Sequence, residues 1–465
     1  MSFSQKLSDG FGKVLEKSPY TVQDPLVKVQ VTTKGNNLIL GRPLRDDDHT
    51  ELIYVGKVLE NTTGRTLLGY DTWLDITFPH VIYVTGTRGS GKSFDLGVIA
   101  EGIGKLSEPS ALQNSVTPLT SIIIDTQSQF WTLRFPPRPQ IPSNQEQLES
   151  LKKWNLRPNS VENTRVYIPP GSRRFLGDEI ELRVRPADVN HEEWCALLGQ
   201  DVYGPQGHVL AQTVDALAGT SYSIADMIKY VNASAHWPGI VDATRNAVAY
   251  KLSDYDRTGL FDPNGIQVID LLKPAVCNVL MLRELRNEDK IVVTAVLARQ
   301  LFTIMGDFHN RRKVARFFGH ESEEENLPSR VWLFIDEAHV VIPKDGLAPA
   351  RQALIEYVKR GRDAGLSLVI ATQQPSAVDD RILSQVNVSF NHRLTFQADI
   401  GAAINRIPTK TVTSLKLSGT ILTDFGDMIR ILDAGQCFVG DYNTSRTVML
   451  QVRPRVTAHG GYSPL

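Results

Sequence analysis

Short apolar runs alternate with helical patterns along most of the chain. Four runs are as long as strands and mostly apolar, as buried parallel strands are: residues 80–86 (HVIYVTG), 121–125 (SIIID), 331–336 (VWLFID) and 366–373 (LSLVIATQ). A fifth run, at residues 276–282 (VCNVLML), resumes the rhythm after a long interval. Because strands and helices alternate in this order, the sequence predicts an α/β fold with a mostly parallel sheet and helices on both faces.

Two regions depart from this rhythm. Residues 27–79 hold short strand-like pieces, such as VKVQV and NLILG, between polar and glycine turns, which predicts a small N-terminal β-rich domain. Residues 191–261 are helical and poor in strands, which predicts a helical subdomain inserted in the core. Further on, a helical pattern from Lys290 to about Phe308 precedes a charge-dense link. We therefore divide the chain into a β-rich domain, the first part of the core, the helical insertion and the second part of the core with a C-terminal extension, at residues 1–79, 80–190, 191–265 and 266–465.

The composition is that of a soluble globular protein, with 42% hydrophobic and 22% charged residues. No run approaches the roughly 18 apolar residues that a spanning helix needs, and the N-terminal segment lacks the apolar core of a secretory signal. We therefore expect a cytoplasmic protein without a membrane contact. Cys195, Cys277 and Cys437 are few, far apart and odd in number, so they indicate neither a disulfide framework nor a zinc site. We expect them to be small buried apolar residues.

The overall charge does not favour binding to nucleic acid. Lys plus Arg number 50 and Asp plus Glu number 51, and the net charge of -1 creates no global field that attracts a polyanion. Any contact with nucleic acid then depends on a local basic patch. The basic candidates, each of which is also explained as an ordinary solvated residue, are Arg173, Arg174, Arg311, Arg312, Lys313 and Lys344.

The segment GTRGSGKS at residues 86–93 carries the strongest chemical signal in the sequence. It fits the pattern G-x-x-x-x-G-K-[ST] without mismatch and lies between a predicted strand and a predicted helix, which is the context that this phosphate-binding loop requires. In such a loop backbone N–H groups surround phosphate oxygens, so we expect Lys92 to bridge the β- and γ-phosphates of ATP and the Ser93 hydroxyl to bind Mg²⁺. The residues expected to contact the nucleotide are Gly86, Thr87, Arg88, Gly89, Ser90, Gly91, Lys92, Ser93 and Phe94.

The end of the predicted strand at residues 331–336 supplies two carboxylates. A P-loop protein needs a carboxylate at the end of a second buried strand to hold the metal, and we assign that role to Asp336. Glu337, one residue further, is placed to act as general base on the attacking water. The alternative is that the pair caps a helix N-terminus. The long separation from Lys92 exceeds what a compact core needs, which supports an insertion between the two motifs.

Further candidates flank the predicted strand at residues 366–373. Arg360 and Arg362 end a helix just before this strand, where a guanidinium could reach the γ-phosphate bound by a neighbouring subunit. Cations at a helix C-terminus also suit the helix dipole, and from these residues alone that explanation is the simpler one. Gln373, at the end of the strand, is placed to sense the γ-phosphate or orient water, or else to satisfy loop backbone as a buried amide.

Five segments together resemble the HerA branch of the HerA/FtsK ATPases. They are residues 53–73 (IYVGKVLENTTGRTLLGYDTW), 80–93 (HVIYVTGTRGSGKS), 334–339 (FIDEAH), 358–376 (VKRGRDAGLSLVIATQQPS) and 451–461 (QVRPRVTAHGG). Other P-loop classes fit less well. The chain has no second RecA-like domain of a DEAH-box helicase, no LSGGQ signature of an ABC transporter and no N-K-x-D element of a translation-type GTPase.

The resemblance implies a RecA-like P-loop core, a barrel-like N-terminal domain, an inserted helical bundle and a homohexameric ring that moves double-stranded DNA with a nuclease partner. It also implies that Arg362, in the element GR-x-x-GL, acts on the nucleotide of the neighbouring subunit. One departure concerns Asp125, which is a weaker site candidate because Gln129 stands where the family has an acid. A second is that the N-terminal β region is short for a full barrel. Its docking surface is therefore expected to suit a different partner, such as a sirtuin-like or nuclease effector in antiphage defence.

Two functions from different classes follow. The first is a hexameric ATPase that translocates on or unwinds double-stranded DNA together with a nuclease or effector partner. The second is a nucleotide-gated hexameric scaffold that assembles and activates an effector protein, which the near-zero net charge favours mildly. A protein-remodelling ring is a third possibility, but the sequence has no aromatic pore-loop signature that supports it.

Overall fold

A computed structural model describes residues 33–34, 37–41, 51–59, 61–62, 65–66, 69–114, 119–320, 326–345, 348–407, 415–417 and 420–460. The predicted strand VKVQV and the N-terminal segment examined for a secretory signal lie outside the described residues. So do parts of the resembling segment at residues 53–73 and the last glycine of the one at residues 451–461.

The described residues form strands β1 to β19 and helices α1 to α13, with short 3-10 helices between them. The strands in order are Thr33–Lys34, Asn37–Leu40, Leu52–Val58, Asn61–Thr62, Arg65–Thr66, Asp71–Asp75, Val81–Thr85, Gln113–Asn114, Thr120–Asp125, Thr164–Ile168, Ile180–Glu181, Cys277–Met281, Val331–Ile335, Leu366–Thr372, Val388–Asn391, Leu415–Leu417, Thr420–Leu422, Gln436–Asp441 and Arg446–Val452. The α-helices in order are Lys92–Ile103, Pro142–Lys153, His191–Leu197, Pro205–Leu217, Ile224–Asn232, Asp242–Asp256, Val268–Leu271, Asn287–Phe318, Ala338–Val341, Pro349–Arg360, Asp380–Leu383, Gln397–Ile404 and Phe425–Arg430. The 3-10 helices are Phe130–Arg134, Pro186–Asp188, Ser234–His236, Gly361–Ala364 and Pro375–Ala377.

The centre of the structure is a parallel sheet in the order β15-β7-β14-β13-β9-β12-β10-β11. The predicted apolar runs form its strands β7, β9, β12, β13 and β14, so the predicted α/β class is confirmed. Strand β14 lies between β7, which leads into the glycine loop, and β13, which precedes the carboxylate pair. Because the strands are parallel, the residues that follow all three meet at one edge of the sheet.

The described N-terminal strands join the same sheet. Strand β19 pairs antiparallel with β18 on one side and with β3 on the other, and β3 leads on to β6 and β2. Gly56 permits the close β3–β19 contact, because a Cβ at this position would lie 2.2 Å from the backbone oxygen of Gln451. The division of the chain at residues 79, 190 and 265 stays a prediction.

Alternate residues of the central strands belong to two separate cores. Ile122 and Ile124 of β9 face a core shared with helices of the region 191–261, whereas Ile123 faces the core that contains α1. This alternation is what a sheet covered on both faces requires. The three cysteines are free and buried, as expected.

Helix α8 is longer than its predicted pattern. The pattern predicts an end near Phe308, but the helix continues through the charge-dense segment to Phe318 and ends where Gly319 adopts a left-handed conformation with φ of 71°. The exposed charged residues in this stretch are compatible with a helix, and only the glycine supplies the C-cap. An 18-residue window of α8 has a mean hydropathy of 1.5, enough by length and composition to cross a membrane. However, 56% of that window is buried inside the protein, as in a core helix.

Candidate nucleotide-binding and hydrolysis site

The glycine loop at residues 86–93 connects β7 to α1 and is held by backbone hydrogen bonds from distant parts of the chain. The Thr87 N–H donates to the Arg393 carbonyl at 2.8 Å, and the Gly435 N–H donates to the Ser90 carbonyl at 3.0 Å. The Ser90 hydroxyl also donates to the Thr87 carbonyl at 2.8 Å. These hydrogen bonds give the loop a defined shape.

His392 packs against this loop and leaves little room for a side chain at two of its glycines. A Cβ at Gly86 would lie 2.8 Å from the His392 Cβ, and a Cβ at Gly91, whose φ is 127°, would lie 3.1 Å from the His392 Cε1. The imidazole Nε2 lies 2.7 Å from Asp95 Oδ2, and Nδ1 lies 2.9 Å from the Gln436 carbonyl. Neither Asp95 nor His392 was predicted, because they are far apart in sequence and neither belongs to a motif.

The Lys92 ammonium is buried at the start of α1 and bonds to its own loop. Its Nζ donates to the Thr87 carbonyl at 2.9 Å. Burial lowers the pKa of the lysine, although the nearby carboxylates of Glu337, Asp336 and Asp95 act in the opposite direction. The Thr87 carbonyl is neutral, so a bound phosphate would give this buried cation a charged hydrogen-bond partner.

Asp336 follows β13 and is fully buried. Neither of its carboxylate oxygens accepts a hydrogen bond from any described residue. Burial raises the pKa of the carboxyl to about 8, and the negative charges of Glu337 and Asp125 add to the effect. A buried carboxylate without partners is costly unless a cation binds it. The site therefore fits Mg²⁺, which Asp336 would hold together with the Ser93 hydroxyl.

Glu337 is the next residue and has an unusual backbone conformation. Its φ of 52° and ψ of 54° lie in the left-handed region, which is rare for residues other than glycine. Its Oε1 accepts a hydrogen bond from the Gln373 amide, and its Oε2 lies 3.5 Å from His339 Nδ1. His339 Nδ1 also lies 3.1 Å from the Thr372 hydroxyl. The strained backbone and the amide contact fix the carboxylate at the edge where β13 and β14 end.

Asp125 lies at the end of β9, close enough to Asp336 to influence its pKa, but its own oxygens are occupied. They accept hydrogen bonds from the N–H groups of Gln127 at 3.2 Å and Phe130 at 2.8 Å. Burial outweighs these bonds and raises the pKa of Asp125 to about 6. The carboxylate therefore shapes the turn before the 3-10 helix Phe130–Arg134.

Arg362 lies at the opposite end of the sheet. It is an exposed residue of the 3-10 helix Gly361–Ala364, immediately before β14 begins. Burial lowers the pKa of His80, and the positive charge of Arg362 adds to this effect, so the guanidinium is near the amino end of β7. The seven residues of β14 span about 20 Å at the usual rise, which is longer than an arginine side chain. Arg362 therefore cannot reach the glycine loop of its own chain.

Arg360 differs from Arg362 because it already has contacts in its own chain. Its guanidinium lies 5.4 Å from the centre of the Phe302 ring, and its Nη1 lies 3.9 Å from Glu356. No ion pair of Arg362 occurs among the described residues. Of the two arginines, Arg362 is the one available to another molecule.

Several of the basic nucleic-acid candidates have partners in the protein. Arg174 lies 3.9 Å from Glu181, Lys313 lies 3.9 Å from Asp363, and Lys344 lies 3.1 Å from Asp380. The Arg312 guanidinium lies 5.3 Å from the centre of the Phe308 ring. These contacts favour the explanation as ordinary surface residues for the side chains concerned.

A glycine loop before a helix, a carboxylate pair after a second strand and a glutamine after the strand between them define the class of this protein as a P-loop NTPase. The family model of the central domain of helicase HerA matches residues 53–301, which is more than half of the chain. The chain belongs to this family, as the sequence resemblance predicted.

Curated relatives with the same name match parts of the chain. The DNA double-strand break repair helicase HerA of Sulfurisphaera tokodaii is 26% identical over 145 residues, 31% of this chain and 27% of the relative. The protein of the same name from Sulfolobus acidocaldarius is 24% identical over 198 residues, 42% of this chain and 36% of the relative. The matched part thus spans only about a quarter to a third of the length of these relatives.

Two solved structures share the fold at low sequence identity. VirB4 of Thermoanaerobacter pseudethanolicus has a TM-score of 0.50 and 13% identity, covering 86% of this chain and 96% of that one. The plasmid coupling protein TrwB in complex with ADP and Mg²⁺ has a TM-score of 0.50 and 12% identity, covering 81% of this chain and 86% of that one. At these identities the likeness concerns the fold alone.

Proposed function

We propose that the chain is the subunit of a homohexameric ring ATPase that uses ATP to move along double-stranded DNA. The observation that carries the proposal is the position of Arg362 at the end of β14 remote from the glycine loop of its own chain. A subunit whose two half-sites lie at opposite ends of its sheet forms complete sites when copies associate head to tail. Such contacts close into rings.

Within one pocket each residue has a separate task. The loop N–H groups and Lys92 bind the phosphates, and Ser93 with Asp336 would hold Mg²⁺, which neutralises charge on the phosphate oxygens. Glu337 takes a proton from the attacking water, and Gln373 orients that water or senses the γ-phosphate. The hydrogen bond from the Gln373 amide to Glu337 supports a joint task for the two side chains.

Arg362 is the residue that the neighbouring subunit contributes. Its guanidinium stabilises the charge that develops on the transferred phosphoryl group, an effect that is worth about 10³–10⁵ in rate. Exposure of the side chain supports this role, since the guanidinium is available to a second copy.

The decisive experiment mixes two inactive variants. Arg362→Ala should abolish ATP turnover and leave nucleotide affinity within about threefold, and Glu337→Gln should also be inactive. When the two are mixed, a pocket with an intact Glu337 can meet an intact Arg362 from the next subunit. Turnover should then return in part, as measured by phosphate release at a fixed total subunit concentration.

Two controls make the mixing experiment specific. A mixture of Glu337→Gln with Lys92→Ala contains no intact pocket and should stay inactive. Arg360→Ala should retain turnover within about threefold, since Arg360 contacts Phe302 and Glu356 of its own chain. Failure of the first mixture to recover at any ratio would show that Arg362 does not act between subunits.

The DNA substrate is the second part of the proposal, and the names of the curated relatives support it. Duplex DNA should stimulate phosphate release many-fold, and DNA affinity should fall steeply between about 50 and 200 mM salt if several phosphates are gripped. The net charge of -1 favours a second candidate, a nucleotide-gated scaffold that activates a nuclease or sirtuin-like effector. Turnover that responds to such an effector and not to DNA would favour the scaffold.

A further inference from the structure

Residues 453–460, the C-terminal segment, have no task in the proposed hydrolytic pocket, yet they lie directly on α1, the helix that follows the glycine loop. Glu101 of α1 accepts hydrogen bonds from the Val456 N–H at 3.1 Å and from the Thr457 N–H at 3.0 Å. Arg453 and Arg455 donate to the same carboxylate at 2.9 and 3.3 Å, and all three charged side chains are fully buried. One glutamate thus anchors the segment to α1.

The contact extends along α1 towards its first turn. A Cβ at Gly97 would lie 2.6 Å from the Arg455 guanidinium carbon. The Arg455 side chain therefore packs directly against the helix backbone at this glycine. On the other side the Gln147 amide donates to the Arg455 and Thr457 carbonyls at 2.8 and 2.7 Å, and its oxygen accepts from the His459 N–H at 3.2 Å. The position of His459 is therefore fixed.

His459 meets the side chain of Phe94. The two rings lie 5.5 Å apart between centroids and form an edge-on contact at 67°. Both side chains are partly exposed, as are Ser93 and Gly460, whereas Asp95 and Ala458 on the other side of each are buried. The two rings therefore form an accessible aromatic surface at the edge of the contact between α1 and the C-terminal segment.

The place of Phe94 relates this surface to a ligand. Phe94 follows Ser93 in the first turn of α1, and phosphate groups bind at that helix N-terminus. A nucleotide whose phosphates occupied the loop would have its sugar and base close to this turn. The Phe94 ring, one residue after Ser93, is within the part of the helix nearest to them.

His459 has a defined tautomer. Arg455 Nη1 lies 3.4 Å from His459 Nδ1, and since a guanidinium only donates, Nδ1 accepts. Burial and the charge of Arg455 lower the pKa of the imidazole to about 4, so the ring is neutral at pH 7 and its proton is on Nε2. Among the described residues this N–H has no partner.

We propose that Phe94 and His459 form the nucleoside subsite, in which the Phe94 ring packs on the base and His459 Nε2–H donates to an acceptor of the purine or ribose. The inference rests on nucleotide binding by the loop and extends it to a second contact. It gives the C-terminal segment a task, which is to hold His459 against the first turn of α1.

The test compares ligands with and without a base by titration calorimetry. Phe94→Ala should lower the affinity for ADP by about 5- to 150-fold, the range that the loss of an aromatic contact to a base corresponds to. Its affinity for tripolyphosphate should stay within about twofold. His459→Ala should lower ADP affinity by about 3- to 10-fold, and His459→Asn, which keeps a donor, should recover part of it.

A control and a measurement on the unsubstituted chain complete the design. Phe396→Ala removes a ring that is 67% exposed and remote in sequence, and it should change neither affinity. On the unsubstituted chain ADP should bind at least about fivefold more tightly than ribose 5-diphosphate, which lacks the base. This comparison decides the matter even if Phe94→Ala fails to fold, and Phe94→Leu offers a milder variant.

The outcomes separate the subsite from the proposed function. Equal affinities for ADP and ribose 5-diphosphate would overturn the subsite and leave the phosphate loop intact. If a folded Phe94→Ala chain lost affinity for ADP and for tripolyphosphate equally, the ring would support only the loop. That outcome would also overturn the subsite. If the unsubstituted chain binds neither ADP nor tripolyphosphate, nucleotide binding itself fails and the subsite with it.

Discussion

Asp336 and Glu101 are two fully buried carboxylates with opposite surroundings. Asp336 accepts no hydrogen bond from a described residue, and its pKa is raised to about 8. Burial would also raise the pKa of Glu101, but Arg453, Arg455 and Thr457 outweigh that effect and lower it. The same chemical group is thus isolated at the edge of the sheet and fully paired where the C-terminal segment crosses α1.

The difference in partners separates a carboxylate suited to binding a ligand from one that stabilises the fold. A fully paired buried ion is strongly destabilising to break, because removal of one partner leaves the other charges uncompensated. An isolated buried carboxylate costs stability instead, and persists where function requires it. Asp125 lies between these cases, since backbone N–H groups satisfy its oxygens.

The largest effect should come from Asp336→Asn. Turnover should fall by about 10³-fold or more, because the neutral amide no longer binds Mg²⁺ beside the phosphates. The unfolding temperature of the nucleotide-free chain should not fall, since an unpartnered carboxylate has been removed. Phosphate release and calorimetric unfolding would measure the two effects on the same preparation.

Asp125→Asn is the matched control, since Asp125 is equally buried but accepts from Gln127 and Phe130. Its unfolding temperature should fall, because an amide has a single acceptor oxygen for these bonds. If Asp336→Asn destabilised the chain as much as Asp125→Asn does, Asp336 would have a structural partner and the contrast would not hold.

Glu101→Gln, in contrast to Asp336→Asn, should lower the stability of the chain. The substitution keeps the shape and leaves two buried guanidinium groups with no compensating charge, which should cost about 3–5 kcal/mol in the free energy of unfolding. Urea unfolding measures this loss. Glu162→Gln is the control, since its 2.7 Å bridge to Lys105 is exposed and should be worth less than about 1 kcal/mol. Equal effects of the two variants would refute the role of Glu101 as the anchor.

The location of Asp336 could be inferred from the sequence, while its role stays a prediction. Lys92, Asp336, Glu337 and Gln373 each follow an apolar run, and the runs form parallel strands β7, β13 and β14 whose ends meet at one edge. Local motif and topology together bring these residues into proximity. The family was also predicted from motifs, and the family model confirms it.

The other side of the comparison, Glu101, could not be predicted because its partners are remote in sequence. Glu101 and Arg453 are separated by 352 positions, and Asp95 and His392 by 297. Helical periodicity favours neither a buried glutamate nor a buried aspartate on α1, and only the course of the chain shows what pairs with them. The predicted end of α8 was wrong for a related reason, since an exposed charged helix and a charged link have similar sequences.

The smallest effect is the contribution of His459 to the pH dependence of the free energy of unfolding. Its pKa is about 4 in the folded chain against 6.5 as the ordinary value, so the unfolded state binds the proton more readily. This contribution to stability is complete above about pH 6.5 and is lost as the pH falls towards 4, up to about 3 kcal/mol for this shift. His459→Gln should therefore lose less stability between pH 7 and 5, whereas His208→Gln, at an exposed position, should match the unsubstituted chain. Identical slopes in all three chains would show that the imidazole is not held neutral against Arg455.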